Sequence, residues 1–315
     1  MRDTLAYLLF RVLVLACRLV GERGSVALGR LLGVAYGAMD SRRARVLRNM
    51  SKAVGPARAR RLLPKYHEHI GLLAVEYARL AALRDPSIVV TRWIDASAAE
   101  KLKAPLAAGR GVIVMTAHVG NWELTGYALA SAVPLNSLYR PSGRPKLDAI
   151  ARAVRERSGQ RVREKFDSMR WSLRVLRSAQ VLGLLMDQDG GPGGVFVPFF
   201  GELASTLSTA ARLARRTGAA IVPIWSARLP GGLAHRLYVG DEIPLADTGD
   251  ERSDVLLTTR RCNEAIEKMI LANPAQWLWT HRRWRTRPAA EDVAAWERAR
   301  SYASGREPAA GARAT

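Results

Sequence analysis

The spacing of apolar residues along the chain changes near residue 100. Before residue 85, apolar positions recur at helical intervals, as in LLPKYHEHIGLLAVEYARL at 62–80, and predict helices throughout. From about residue 110, short apolar runs alternate with helical stretches. The predicted strands are 112–117, 135–139, 181–186, 219–225 and 235–243, and the predicted helices are 121–130, 146–157, 168–178, 205–217 and 252–272. This alternation predicts an α/β fold, with a layered, largely parallel or mixed central sheet flanked by helices.

The same pattern divides the chain into three parts. Residues 1–20 are an apolar N-terminal segment, which we predict to be a membrane-anchoring helix. Residues 21–288 form the predicted main domain, helical over 21–100 and α/β over 105–288. Residues 289–315 are rich in Ala, Arg and Gly, so we expect a short helix followed by a frayed tail.

The N-terminal apolar run, TLAYLLFRVLVLACRLV at 4–20, is interrupted by Arg11 and Arg18. These arginines are seven residues apart and therefore share one face of a helix. Because a spanning helix needs about 20 apolar residues, the short, striped run favours a helix that lies in the membrane interface. Two alternatives stay open: a spanning helix with snorkelling arginines, and a core helix with two surface arginines.

Composition adds a strong positive charge to this picture. The 315-residue chain has a net charge of +21, and only seven of its 49 basic residues are lysines. Such a surplus predicts an anionic partner: nucleic acid, an anionic membrane surface, a phosphorylated substrate or an acidic protein. The two cysteines, Cys17 and Cys262, cannot form a disulfide framework or a CxxC zinc site, and they indicate a reducing compartment.

The stretch TAHVGNWE at 116–123 carries the clearest candidate chemistry. His118 follows a predicted buried strand, at the sheet edge where open α/β folds bind ligands. Asn121 can cap the next helix, and Glu123 falls in its first turn. We predict that Glu123 accepts a hydrogen bond from one imidazole nitrogen, which leaves the other to take a proton from a substrate hydroxyl. The alternative is a capped helix start that happens to contain a histidine.

Charged residues follow two further predicted strands. Arg140 and Arg144 lie in the loop LYRPSGRP, where guanidinium groups can clamp a phosphate. Asp187 and Asp189 end the next strand and can orient arginines or the polar head of a substrate. No third ligand stands near them in sequence, so we predict no metal site. A GxSxG elbow, a P-loop and a GxGxxG loop after a strand are all absent, which argues against the enzyme classes they mark.

Five stretches taken together resemble the lysophospholipid acyltransferase superfamily, and within it the bacterial late lipid A acyltransferases. Those enzymes add secondary acyl chains to lipid A precursors. The stretches are HVGNWE, LYRP, DQD with the Gly-rich turn and VFVPFFG, STLSTAARLARRTGAAIVPI, and WLWTHRRWRTRP. The resemblance runs from near residue 4 to about residue 288. It implies a glycerolipid-acyltransferase-like fold preceded by a membrane-associated helical region.

The resemblance also implies a reaction. The donor would be an acyl carrier protein thioester, with acyl-CoA as the alternative, and the acceptor a hydroxyl of a membrane lipid at the cytoplasmic face of the inner membrane. No metal and no organic cofactor are expected. His118 would be the general base, oriented by Glu123. Arg140 would bind a phosphate or stabilise the oxyanion. The other implied substrate-binding residues are Arg144, Asp187, Asp189 and Asn121, and the implied walls of the acyl-chain pocket are Val195, Phe196, Phe199 and Phe200.

Three alternatives to a lipid A acyltransferase remain open from the sequence alone. Related acyltransferases use the same motif on other lysophospholipids or glycolipids. A basic nucleic-acid-binding protein is suggested by the tryptophan–arginine run at 276–287, but no helix-turn-helix or zinc knuckle accompanies it, and we expect no nucleic acid as partner. A membrane scaffold with an inactive acyltransferase fold would not need both His118 and Glu123.

Overall fold

The computed structural model describes residues 2–164 and 168–303 of the chain. Its α-helices are α1 Arg2–Met39, α2 Arg43–Val54, α3 Pro56–Ala82, α4 Lys103–Ala107, α5 Trp122–Ala132, α6 Pro145–Arg157, α7 Met169–Arg177, α8 Thr209–Thr217, α9 Glu251–Ala272 and α10 Ala290–Ala303. Its strands are β1 Ile94–Asp95, β2 Val112–Thr116, β3 Leu135–Tyr139, β4 Arg161–Glu164, β5 Val181–Leu185, β6 Val195–Phe199, β7 Glu202–Thr206, β8 Ala220–Arg228 and β9 His235–Val239. α10 confirms the predicted C-terminal helix, while the predicted tail at 304–315 lies outside the described residues.

The described residues form a seven-stranded sheet in the order β1-β9-β8-β2-β5-β3-β4. Its strands pair in parallel, except that β8 and β9 pair antiparallel. The predicted layered α/β fold is therefore confirmed. Because β2, β5 and β3 run in the same direction, the residues that follow them meet at one edge of the sheet.

The central strand β2 is buried on both faces, as a parallel strand between two helical layers must be. Its alternating side chains point to opposite sides. Val112 and Val114 join the core that contains Leu124 of α5, and Ile113 and Met115 join the core on the other face. This double burial explains the continuous apolar run in the sequence, and it fixes the register of the strand that leads to His118.

Residues 195–206 form a hairpin that the apolar pattern did not predict. Val195–Phe199 pairs antiparallel with Glu202–Thr206, and α8 consequently begins at Thr209 instead of residue 205. Phe200 sits in the turn with a positive φ of 49°. The hairpin packs on α9 and α10 and forms part of the core beside the C-terminal segment.

α1 and α3 pack together as an antiparallel pair with close backbone contact. A Cβ on Gly33 would lie 2.7 Å from the Cα of Glu68, and a Cβ on Gly71 would lie 2.1 Å from the carbonyl oxygen of Gly29. Only glycine permits such an approach. α1 bends at Gly21, where φ is 64°, at the boundary predicted between the anchor and the main domain.

The face of α1 away from α3 is apolar and uncovered. Among the described residues, fourteen large apolar side chains are exposed, and ten of them lie on α1: Leu5, Leu8, Leu9, Val12, Leu15, Leu19, Val20, Leu31, Val34 and Met39. Residues 3–39 are long and apolar enough to cross a membrane by length and composition, a property that some core helices share. Only 6% of the most apolar window is buried, so α1 is not a core helix.

Candidate active site

His118 and Asp187 come together at the carboxyl edge of the sheet. Each lies two residues beyond one of two paired strands, because Thr116 of β2 is in register with Leu185 of β5. His118 Nδ1 and Asp187 Oδ1 are 2.8 Å apart, and the His118 backbone N–H donates to Asp187 Oδ2 at 2.9 Å. The indole N–H of Trp277 donates to the same Oδ2 at 2.6 Å. Asp187 is therefore fixed by three nitrogen atoms.

The Asp187 carboxylate is charged although it is fully buried. Burial by itself would raise the pKa of Asp187, but His118, His281 and the Trp277 N–H outweigh it and hold that pKa well below its usual range. An ionised Asp187 accepts the Nδ1–H of His118, which leaves Nε2 with its lone pair. The His118 side chain is 13% exposed, and Nε2 has no hydrogen-bond partner among residues 2–164 and 168–303.

Glu123 is not the partner of His118, so the predicted His118–Glu123 hydrogen bond is wrong. Glu123 instead accepts two hydrogen bonds from Arg155 of α6, from Nη2 to Oε1 at 2.6 Å and from Nε to Oε2 at 3.0 Å. Burial would lower the pKa of Arg155, but the Glu123 carboxylate raises it above its usual range. Glu123 points away because it lies inside α5, facing α6, whereas His118 lies in the turn before that helix.

Gly120 and Asn121 shape the turn that carries His118. Gly120 has a φ of 60°, and a Cβ there would lie 1.8 Å from the carbonyl oxygen of Ser226, so the turn requires glycine. The Asn121 side chain accepts from the backbone N–H groups of Glu123 and Leu124, which confirms the predicted cap. Its amide nitrogen donates to Glu76, and the residue is fully buried. The structure therefore shows Asn121 as a helix cap, and its assignment to substrate binding stays a prediction.

A buried charged cluster around Glu76 holds this turn through the hydrogen bond from Asn121. Arg228 donates to both oxygens of Glu76, at 2.5 and 2.9 Å, and His235 Nε2 lies 2.9 Å from Glu76 Oε1. Burial would raise the pKa of Glu76, yet Arg228 and His235 lower it, so Glu76 is ionised. His69 contacts Arg228, and burial and that guanidinium lower its pKa. Both histidines of the HEH sequence at 67–69 are buried.

The C-terminal segment supplies two site residues to which the sequence assigned no role. Leu278 N–H donates to the His118 carbonyl at 3.0 Å, which places Trp277 and His281 beside the imidazole. The rings of His118 and His281 are 4.9 Å apart. Burial lowers the pKa of His281 to about 4, partly opposed by Asp187, so His281 is neutral at pH 7. WLWTHRRW belongs to one of the stretches that carry the family resemblance, but no local pattern in it predicts the contact with residue 118.

His118, Asp187 and His281 also have the side chains of a metal site. One potential ligand atom from each lies within 4.8 Å of the others. Both Asp187 oxygens, however, already accept hydrogen bonds from protein nitrogens. The donor set therefore suits an imidazole held by a carboxylate better than a tetrahedral cation site.

Comparison with known proteins identifies the family. The family described as "Bacterial lipid A biosynthesis acyltransferase" matches residues 2–286. The chain belongs to this family. It is 29% identical to the lipid A biosynthesis lauroyltransferase of Escherichia coli K12 over 231 residues, which are 73% of this chain and 73% of that protein. It is 29% identical to the palmitoleoyltransferase of the same strain over 208 residues, 65% of this chain and 66% of that protein. It is 26% identical to the myristoyltransferase over 212 residues, 67% and 64% respectively.

Three further predicted site residues, Arg140, Arg144 and Asp189, lie farther from His118 along the sheet edge or in the loops beside it. Arg140 and Arg144 are exposed and make no ion pair with a described residue. Arg140 directly follows β3, which lies two strands from β2, or about 10 Å at about 4.8 Å per strand. It therefore shares the sheet edge of His118. Asp189 accepts from the Thr286 hydroxyl at 2.8 Å and from its backbone N–H at 3.3 Å. Asp189 thus fastens the C-terminal segment, and its assignment to substrate binding stays a prediction.

The predicted acyl-chain walls are packed closed in this acyltransferase structure. Phe199 is fully buried and contacts Phe200, Trp277 and Trp284. Phe196 is buried, and Val195 packs against the core under α9 and α10. The apolar run is therefore a hairpin strand packed against its partners, and the assignment of these four residues to the acyl-chain pocket stays a prediction.

Proposed function

We propose that this protein transfers a fatty acyl chain from an acyl carrier protein thioester to a hydroxyl of a lipid A precursor. The observation that carries the proposal is the His118–Asp187 pair, with Nε2 of His118 unoccupied at the sheet edge of an acyltransferase. The names of its relatives, which are lipid A acyltransferases, support the acceptor class. An acyl-CoA donor and another glycolipid acceptor are the alternatives.

His118 acts as the general base in this reaction. Nε2 takes the proton of the acceptor hydroxyl while the hydroxyl oxygen attacks the thioester carbonyl. Asp187 holds the Nδ1–H and stabilises the imidazolium that forms. The tetrahedral oxyanion then collapses, the C–S bond breaks, and the leaving sulfur takes the proton back from His118. An ester and a free thiol result, without an acyl-enzyme.

His281 faces the same reaction space. The His118 and His281 rings are 4.9 Å apart, and Nε2 of His281 lies 3.2 Å from the Gln188 side-chain amide nitrogen. Because its low pKa keeps it neutral, His281 donates one N–H without competing for the proton. The reaction needs no metal and no organic cofactor, since the thioester is already activated and the transfer involves no redox step.

The membrane side of the enzyme is set by α1. Its uncovered apolar face fits an interface, and its packing on α3 favours lying along the membrane over spanning it. Lys146 contacts Asp3 and Thr4, so α1 begins beside the loop that carries Arg140 and Arg144. A lipid acceptor thus reaches the sheet edge from the membrane. The net charge of +21 suits both anionic lipid and an acidic carrier protein at the cytoplasmic face of the inner membrane.

Mass spectrometry of total lipids from cells with and without the gene tests the function. We expect the lipid A of cells lacking the gene to be lighter by one acyl chain. If a different glycolipid loses one acyl chain instead, that glycolipid is the acceptor, and the proposed acyl transfer reaction still holds. An unchanged lipid profile, in cells shown to express the protein when the gene is present, would contradict the proposal.

Point substitutions can test whether the exposed apolar face of α1 anchors the protein to the membrane. Deletion of residues 1–20 would be a poorer test, because it would also expose the part of α3 that α1 covers. Leu9→Asp with Val12→Asp should lower membrane partitioning about tenfold or more, since each apolar side chain contributes about 1.5–3 kcal/mol when fully buried. Leu271→Asp with Val293→Asp, exposed apolar positions on α9 and α10, is the matched control. Sedimentation with membranes measures the effect. Equal partitioning of both variants would show that α1 is not the anchor.

Arg140 is expected to serve the substrate. Arg140→Lys should lower acyl transfer by roughly 100-fold, because lysine keeps the charge but loses the planar fork that matches a phosphate or an oxyanion. The melting temperature should hardly change, since the described structure gives Arg140 no ion pair to lose. A large fall in melting temperature with near-normal turnover per folded molecule would instead show a bracing role.

A further inference from the structure

An open groove lies where α1, α2 and α3 meet. We call it the α1–α3 groove. It measures about 580 Å³. Its walls include Val34 of α1 with Leu63 and Pro64 of α3, and its lining includes Arg43, Arg60 and Lys65. None of these residues contacts the His118–Asp187 pair. The groove therefore joins an apolar wall to a cluster of cations outside the candidate active site.

The cations of the groove belong to a strongly basic segment. Residues 41–67 contain nine arginines and lysines and no aspartate or glutamate. Arg43, Arg60 and Lys65 are exposed, and none forms an ion pair with a residue of the described chain. Arg30, which also lines the groove, is already paired with Glu68 at 2.9 Å. The three remaining cations can therefore receive an anionic group at no cost in existing salt bridges.

The apolar wall of the groove continues onto the uncovered face of α1. Val34 is 71% exposed and Met39 76% exposed, next to the groove mouth, and Leu31 lies one turn before Val34. A ligand with an anionic head and an apolar tail satisfies both features together. The head would meet the three cations, and the tail would lie along α1.

We propose that the α1–α3 groove binds the phosphate-bearing headgroup of an anionic membrane lipid, with its acyl chains along α1. This inference rests on the proposed membrane location and adds a lipid site to it. An acidic carrier protein is the competing occupant, because it also suits the cations. The lipid fits better, since the apolar wall and its continuation on α1 have no counterpart in an acidic protein surface.

A charge-reversal variant of the full-length protein tests the proposal. It carries Arg43→Glu, Arg60→Glu and Lys65→Glu. The matched control carries Arg174→Glu, Arg177→Glu and Arg216→Glu, exposed positions on α7 and α8, with the same change in net charge. Binding is measured to vesicles of phosphatidylcholine alone and of phosphatidylcholine with phosphatidylglycerol. Circular dichroism and thermal melting establish that each variant is folded.

The groove variant should lose about tenfold or more of its affinity for the anionic vesicles. It should keep its affinity for neutral vesicles, and the control should keep both. Inorganic phosphate, compared with chloride at equal ionic strength, should not compete, because the site needs the lipid tail. Competition by phosphate would identify a free-phosphate site and overturn the proposal. Equal losses in both variants would indicate general surface charge and would also overturn it.

Turnover on detergent-dispersed acceptor separates this inference from the proposed function. The groove variant should retain the wild-type KM for the acyl carrier protein donor. A raised KM for that donor with unchanged vesicle binding would assign the surface to the carrier protein and overturn the lipid site. If the wild-type protein transfers no acyl chain, the proposed function is contradicted. The vesicle measurements still show whether the α1–α3 groove binds anionic lipid.

Discussion

Replacing His118 by alanine is expected to lower the rate of acyl transfer by roughly 100- to 10,000-fold, the usual effect of losing a positioned general base. His118 is held in place by Asp187 through its ring and its backbone, and its Nε2 faces the sheet edge. Turnover with a defined acyl carrier protein thioester, normalised to folded protein, measures the loss.

Folding is the necessary control for that result. In His118→Ala, Asp187 still accepts from the residue 118 backbone N–H and from Trp277, so the buried carboxylate keeps two of its three donors. His118→Asn adds a side-chain amide that can donate to Asp187 but cannot act as a base at neutral pH. Both variants should melt close to the wild type. A folded variant with more than about a tenth of the wild-type rate would exclude His118 as the base.

Asp187→Asn should produce the second large loss, again roughly 100- to 10,000-fold. An asparagine amide can turn its NH₂ group toward Nδ1, which would place the imidazole proton on Nε2 and remove the base. Initial rates at one fixed pH, with the melting temperature as control, measure the loss.

Glu123→Gln is the matched comparison for Asp187→Asn. It keeps the side-chain shape but weakens the charged pair with Arg155, which should cost about 1.5–3 kcal/mol of stability. Turnover per folded molecule should fall less than in Asp187→Asn. A larger loss of turnover in Glu123→Gln than in Asp187→Asn would indicate that Glu123, and not Asp187, orients His118.

The strands that carry the candidate site were predictable from the sequence, but the partner of His118 was not. β2 and β5 are mostly apolar runs with clear ends, and the predicted bounds of β3 also agree with the structure, so His118, Arg140 and Asp187 were correctly placed at strand ends. Glu123 is near His118 along the chain, yet α5 directs it to Arg155. Asp187 meets His118 only through the register of β2 and β5, which is a long-range property.

The missed strand β4 had no distinctive local pattern. β4 has the sequence RVRE, which is mostly exposed and polar, so it lacks the apolar run of a buried strand. β8 contains Pro223, although the strand lies between β9 and β2. Pro223 is tolerated there because it stands where pairing with β2 ends and pairing with β9 begins, at Ile224. This change of pairing partner within one strand depends on the order of all strands in the sheet, so the local sequence cannot predict it.

The central claim is that His118 drives transfer of an acyl chain from a carrier thioester to a lipid hydroxyl. Purified protein, a lipid A precursor and an acyl carrier protein thioester should give a product heavier by one acyl chain in the mass spectrum. The free thiol should appear in equal amount, and His118→Ala should abolish both. Thioester loss without a heavier lipid, or equal product from His118→Ala, would contradict this account.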